Sequence, residues 1–244
     1  MLSKEEVKKK LIVALDVDSL SEAQFWVKEL KSYVGLFKVG FQLFTRYGSS
    51  AVRMVQDEGG EVFLDLKFHD IPNTVTAAIE AAVSLKVKIL NVHALGGRTM
   101  MAEAVKSARA AADKLHSPTP ILLAVTILTS LLDSDLAEMG ITAPVTAQVQ
   151  RLACLAYEAG LNGVVASPQE VPFIRDILPR DFLTVTPGVR LHTSNKDDQK
   201  RVLTPKMALQ AGADYIVIGR PILKAPNPVE AVHTILEDMA QAIA

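Results

Sequence analysis

The sequence predicts an α/β protein folded as a (β/α)8 TIM barrel, with residues 1–244 forming a single domain. Three observations point there. Eight short apolar runs alternate with longer segments of helical character, the rhythm of parallel strands joined by crossover helices. Many of the runs end in a polar residue, as strands do at the catalytic rim of a barrel. No Pro-, Gly- or Ser-rich linker divides the chain. Alternation alone also fits an open doubly wound sheet; eight units favour closure.

The first run is LIVALDV (11–17), followed by the helical SLSEAQFWVKELKSY. Strand periodicity puts Ile12, Ala14 and Asp16 on one face. The second run, LFKVG (36–40), puts Lys38 on a face with Leu36 and Gly40. In the third, EVFLDLK (61–67), Phe63, Asp65 and Lys67 alternate with the wholly apolar Val62, Leu64 and Leu66. The apolar set is expected to face the helices, sending Asp16, Lys38, Asp65 and Lys67 toward the barrel axis. Pro72 is placed to open the next helix, where its missing N–H costs nothing. KILNVHA (88–94), PILLAVTIL (120–128), GVVAS (163–167), FLTVTPG (182–188) and DYIVIG (214–219) complete the strands, and PNPVEAVHTILEDMAQAIA closes the chain as a helix. His93, Thr126, Ser167 and Arg190 are further polar residues at strand ends.

Two carboxylates and two amines converging on one opening need each other, because an unpaired buried charge costs several kcal/mol, of the order of ~3–5. A rim network that only braces the strands is the competing reading for any one of them. Three adjacent strands aiming charge at the same mouth is the pattern of a catalytic cluster. Asp65 and Lys67 sit side by side, and Asp70 follows on the loop, so Lys67 is expected to have a carboxylate on each side. Anionic neighbours keep an amine protonated. A permanently charged ammonium is a poor base, but a good proton donor to a carbanion.

After the seventh strand comes TPGVR, with Pro187 and Arg190, and then the polar LHTSNKDDQKR, long enough for a mobile lid. The eighth strand ends in Gly219-Arg220-Pro221-Ile222. Loops after strands seven and eight often hold phosphate through backbone N–H groups and a guanidinium. A tight turn with a surface arginine is the plainer alternative.

Composition narrows the field. Hydrophobic residues make up 49% of the chain and charged residues 22%, which suits a large core and not disorder. A net charge of −1 argues against a nucleic-acid surface. An anionic ligand must be held by a few placed groups. Cys154 is the one cysteine, so no internal disulfide forms; it reads as a core thiol. The N-terminal MLSKEEVKKK lacks an apolar signal centre, and no run is long enough to span a bilayer, so a cytoplasmic protein with no membrane partner is expected. Trp26, Met100 and Met101 read as packing residues, Lys8 to Lys10 as a solvated helix end, and His69 and His93 as structural.

DLKFHDIPNT, together with LIVALDV, FKVG, VTILTS, GVVASP, TPGVR and ADYIVIGRPI in order, closely resembles the orotidine 5′-phosphate decarboxylase family over nearly the whole chain. The resemblance implies a cofactor-free and metal-free decarboxylase of a pyrimidine nucleotide, working as a homodimer with its active site shared between subunits. It implies that Lys67 protonates carbon 6, that Asp65 lies against the substrate carboxylate, and that Lys38 joins them. It implies that Asp70, Ile71 and Thr74 come from the neighbouring subunit. Asp16 and Lys38 would hold the ribose, Thr129 the pyrimidine edge, and Gln199, Gly219 and Arg220 the phosphate, with Arg190 at the lid base and Pro187 beside the ring. Magnesium-dependent sugar-phosphate decarboxylases or synthases of the same architecture are the near alternative; a non-catalytic nucleotide-binding barrel is the distant one.

Overall fold

A computed structural model describes residues 4–190 and 203–243. Eight parallel strands close into a barrel in sequence order: β1 (Leu11–Ala14), β2 (Leu36–Gly40), β3 (Val62–Phe68), β4 (Ile89–His93), β5 (Ile121–Val125), β6 (Gly163–Val165), β7 (Leu183–Thr186) and β8 (Tyr215–Ile218). β8 pairs back onto β1 through Ile12 and Val217, so the sheet has no free edge. The open-sheet alternative is excluded.

Helices α1 (Lys4–Lys9), α2 (Leu20–Leu30), α3 (Phe41–Tyr47), α4 (Ser49–Asp57), α5 (Pro72–Ser84), α6 (Gly97–Lys114), α7 (Asp133–Glu138), α8 (Val145–Glu158), α9 (Val171–Arg175), α10 (Pro205–Gln210), α11 (Arg220–Leu223) and α12 (Pro228–Ala240) make up the outer layer and the rim. Their starts carry the expected chemistry. The Ser19, Thr204 and Asn227 side chains accept the backbone N–H of Glu22, Met207 and Glu230, satisfying donors the helix leaves over. Pro72 does open α5. The sequence rhythm missed the subdivisions. Gly48, at φ 53, separates α3 from α4, and α7 and α11 are short rim helices inserted into loops.

The core is two-layered, and strand alternation predicts it. Val13, Phe37, Val39, Val62, Leu64 and Leu66 pack outward against the helices. Ile12, Ala14, Leu36, Phe63, Ile89, Leu123, Val185 and Val217 fill the barrel interior. Each large side chain so buried is worth about 1.5–3 kcal/mol. Met100 and Met101 are buried on α6, as expected, and Trp26 packs against the outer layer. At the strand N-termini, Arg175 donates to Asp214, Thr184 and the Gly212 and Phe182 carbonyls, tying α9 to β7 and β8. The interior stack leaves only the strand C-termini open.

Candidate active site

The four charged residues predicted to point inward form one alternating chain across three strands. Lys38 Nζ lies 3.1 Å from Asp16 Oδ1 and 3.4 Å from Asp65 Oδ2, and Lys67 Nζ lies 2.8 Å from Asp65 Oδ1. The register explains the convergence. Ala14 pairs with Lys38, and Gly40 pairs with Asp65, so the side chains rise from adjacent strands at neighbouring levels. Burial alone would lower the Lys38 pKa, but Asp65 and Asp16 outweigh it and hold the ammonium above its ordinary value. Burial likewise disfavours the Asp65 anion, yet Lys38, Lys67 and a hydrogen bond from Asn91 bring its pKa below the usual range. Both groups are therefore charged at neutral pH. Gly40 makes room for this: a Cβ there would sit 2.7 Å from Lys38 Nζ.

Strand β3 is not regular where it matters. Leu64 pairs with Leu90 and Phe68 with Val92, so β3 spends two extra residues against β4. Within that bulge Lys67 has φ 44, a left-handed backbone that costs a residue with a Cβ about 1–2 kcal/mol. The two other non-glycine residues of positive φ among those described, Lys86 and His116, lie just past the ends of α5 and α6, where such geometry is common. The fully buried Asn91 of β4 fits the bulge. Its Oδ1 accepts the Lys67 N–H at 2.7 Å, and its Nδ2 donates to Asp65 Oδ1 at 2.7 Å. Sequence reasoning passed over Asn91. A primary amide in the middle of the apolar run KILNVHA, on the same face as Ile89 and His93, was the available signal.

Above the interior stack lies a cavity of about 270 Å³, floored by Phe63, Val125 and Val217. Of the predicted site residues, Asp16, Lys38, Asp65, Lys67, Thr129, Pro187, Arg190, Gly219 and Arg220 line it. Leu128 and Ser130, beside Thr129, line it too and were not singled out from sequence. Gly219 precedes the short helix α11, and a Cβ on it would approach that of Ala14 to 3.2 Å. β8, Gly219 and the first residue of α11, Arg220, thus give the strand–glycine–helix arrangement that suits an anion. Not every polar strand end faces the cavity. Thr126 and Ser167 are fully buried; the Thr126 hydroxyl donates to the Val165 carbonyl, and Ser167 Oγ accepts the Gln169 N–H, so both brace the wall.

Asp70, Ile71 and Thr74 do not line the cavity formed by a single chain. Asp70 Oδ1 accepts its neighbour's Ile71 N–H, and Ile71 is 67% exposed. The expectation that Lys67 has a carboxylate on either side is therefore met on one side only, by Asp65, within this chain. Gln199 and the proposed lid, 191–201, lie outside the described residues. His69 and His93 stack with ring centroids 5.4 Å apart. His93 Nδ1 accepts the Leu95 N–H. Burial first, then His69 and Lys67, push its pKa down to about 4. A neutral, ring-stacked His93 fits the structural role expected of it. Among the described residues, no group of three or more His, Cys, Asp or Glu side chains is placed to hold a metal, and no helix is long and apolar enough to cross a membrane.

A closed parallel barrel with a carboxylate–ammonium chain at its strand C-termini defines the class: a TIM barrel with a rim site suited to proton transfer beside a bound anion. The comparisons narrow it. Residues 9–235 match the family described as orotidine 5′-phosphate decarboxylase / HUMPS. A relative from Syntrophotalea carbinolica named orotidine 5′-phosphate decarboxylase is 54% identical over 238 residues, covering 98% of both chains. One of the same name from Geotalea uraniireducens is 52% identical over 240 residues, again covering 98% of each. The crystal structure of orotidine 5′-phosphate decarboxylase from Lactobacillus acidophilus superposes with a TM-score of 0.78 at 37% identity, covering 94% of this chain and 98% of that one. The chain belongs to the orotidine 5′-phosphate decarboxylase / HUMPS family.

Proposed function

We propose that this chain decarboxylates orotidine 5′-phosphate to uridine 5′-phosphate, the closing step of pyrimidine nucleotide synthesis, with Lys67 delivering the proton to carbon 6. The observation that carries the reading is the ammonium of Lys67 held 2.8 Å from Asp65 at the rim of the cavity. As the bond between carbon 6 and the carboxyl carbon breaks, its electron pair stays on carbon 6 and CO₂ leaves. Lys67 then places its proton on that carbon. The ring offers the pair little delocalisation, so the fixed positive charge beside it is the main source of stabilisation. Rate gains by enzymes correspond to ~8–23 kcal/mol of barrier lowering, and this reaction demands the upper end. Asp65 faces the departing carboxylate, and Lys38 neutralises Asp65 from the other side.

Gly219, Arg220 and Gln199 bind the phosphate, Arg190 steadies the lid base, and Asp16 with Lys38 holds the ribose. Thr129 reads the pyrimidine edge and Pro187 flanks it. The phosphate does not react, so its binding energy is available to close the site and orient the ring. Asp70, Ile71 and Thr74 act from a second copy in a homodimer. Their outward placement, with Ile71 exposed and Asp70 accepting the N–H of the next residue in its own loop, supports that assignment. The working location is the cytoplasm, and neither nucleic acid nor membrane is a partner.

The test is direct. Purified protein is given orotidine 5′-phosphate with excess chelator, and the loss of its ultraviolet band is followed. Turnover that persists under chelation is the expected result. No turnover under any condition refutes the decarboxylase reading, and turnover that requires added magnesium refutes the metal-free mechanism.

A further inference from the structure

We propose that Asn91 is a positioning residue for this reaction: one buried amide holds the backbone of Lys67 and the carboxylate of Asp65 at once, and so sets the geometry of the pair. The inference rests on the proposed decarboxylation and assigns that site a residue which does not line its cavity. Asn91 is fully buried in β4, on the inward face, opposite the bulge of β3 on one side and paired with Leu123 of β5 on the other. Packing does not explain it. Neighbouring inward positions are filled by Ile12, Leu36, Ile89 and Leu123, and a leucine would bury more apolar surface without the cost of desolvating an amide.

Hydrogen bonding explains it, because both ends of the amide are used on the reacting pair. The Lys67 N–H can only donate and the Asp65 carboxylate can only accept, so the orientation of the amide is fixed: Oδ1 on Lys67 N–H and Nδ2 on Asp65 Oδ1, each at 2.7 Å. The first bond clamps the left-handed backbone of Lys67, which an ordinary ladder cannot hold because β3 runs two residues out of step with β4 there. The second gives Asp65 a donor that carries no charge. When a substrate carboxylate approaches, Asp65 is repelled; its two lysine partners sit on flexible stems, whereas Asn91 is anchored in a strand.

The charged and titratable groups around the amide are Lys38 from β2, Asp65 and Lys67 from β3, His93 from β4 and His69 from the loop beyond β3; β5 presents only Leu123 opposite it. Two substitutions separate positioning from support. Asn91→Leu keeps the branching and the number of side-chain heavy atoms, with bulkier methyls in place of the amide, and removes both bonds. Asn91→Asp keeps the acceptor for Lys67 but sets a second carboxyl against Asp65. A carboxylate that close raises its neighbour's pKa, so over a range of pH only one of the two is ionised. The pair shares a proton at acid pH, which restores the donor, and loses it as pH rises.

The experiment measures kcat and KM for orotidine 5′-phosphate, the Kd for uridine 5′-phosphate, and thermal unfolding, for the wild type and both variants. Asn91→Leu is expected to unfold cooperatively and bind uridine 5′-phosphate within about threefold of wild type, while kcat falls roughly 10–100-fold, the loss expected when hydrogen bonds to charged groups are removed. The kcat of Asn91→Asp relative to wild type is expected to rise about tenfold or more between about pH 8 and pH 5.5 as the shared proton returns. A folded Asn91→Leu variant with kcat within about threefold of wild type overturns the proposal. So does an Asn91→Asp loss of equal size at every pH, or a parallel fall in affinity and kcat. If Asn91→Leu does not fold, the pH profile of Asn91→Asp decides. An inactive wild type would instead sink the decarboxylase reading.

Discussion

Gly40→Ala is a sharp test of whether the charge chain works by geometry. Gly40 has φ −103 and ψ −171, extended backbone that alanine adopts freely. The substitution narrows the unfolded ensemble, which by itself favours the folded state by about 0.4–1 kcal/mol. The cost falls elsewhere. The new Cβ sits 2.7 Å from Lys38 Nζ, and ordinary contact needs about 3.5 Å, so the ammonium moves by roughly 0.8 Å. Lys38 lies 3.1 Å from Asp16 and 3.4 Å from Asp65. At an effective dielectric of about 20, stretching either pair by that amount weakens it by about 1 kcal/mol. A kcat decrease of roughly 5–30-fold follows for about 1–2 kcal/mol lost in the transition state. The assay pairs initial rates on orotidine 5′-phosphate with a thermal melt. A variant no more than about 1–2 kcal/mol less stable than wild type, yet slower, is expected. Full activity in a variant whose Lys38 has moved would refute the claim that the position of this ammonium matters, and a large loss of stability would refute the reading of Gly40 as space for it.

Lys67→Ala is expected to lower kcat by at least ~10³-fold, since it removes both the proton donor and the adjacent positive charge, while uridine 5′-phosphate still binds by fluorescence or calorimetry; near-normal turnover would remove Lys67 from the chemistry. Arg220→Ala should weaken uridine 5′-phosphate roughly 10–100-fold and leave uridine almost unchanged, because only the former offers the phosphate. Equal losses would take Arg220 away from the phosphate. Mixing inactive Asp70→Ala and Lys67→Ala chains should restore part of the activity, each heterodimer rebuilding one site; heterodimers shown to form without activity would end the shared-site proposal. Stability should fall on acidification. His93, with a native pKa of about 4 against an ordinary 6.5, leaves the unfolded chain binding the extra proton, so its contribution is whole above pH 6.5 and is lost as pH drops toward 4. Asp65, whose native pKa is also depressed, adds a further loss below its ordinary 3.8. Urea midpoints between pH 7 and 4 check this, and His93→Gln should flatten the slope above about pH 4.

Strand alternation was enough to place Asp16, Lys38, Asp65 and Lys67 in one cluster, because a residue's face in a parallel strand follows from counting by two, and the apolar partners Val62, Leu64 and Leu66 show which face is buried. The same counting cannot see a bulge. It put Lys67 on the right side but treated its backbone as ordinary, and it had no means of linking Asn91 to a lysine 24 positions away in the chain. Rim polarity was legible only in part. Thr126 and Ser167 end strands just as Lys38 does, yet their short hydroxyls satisfy backbone groups within the wall, and only three-dimensional neighbours reveal that. The exposure of Asp70, Ile71 and Thr74 follows from the course of the loop after β3 and the way it launches α5, which strand periodicity does not reach.

The apolar stack formed by Ile12, Leu36, Phe63, Ile89, Leu123, Val185 and Val217 also makes the barrel a blind well. In the proposed reaction, a gas molecule released beside Asp65 has no drain below it, so it leaves by the doorway through which the nucleotide came in. On that reading both products share a single exit with the incoming nucleotide, and no second route through the barrel competes with it.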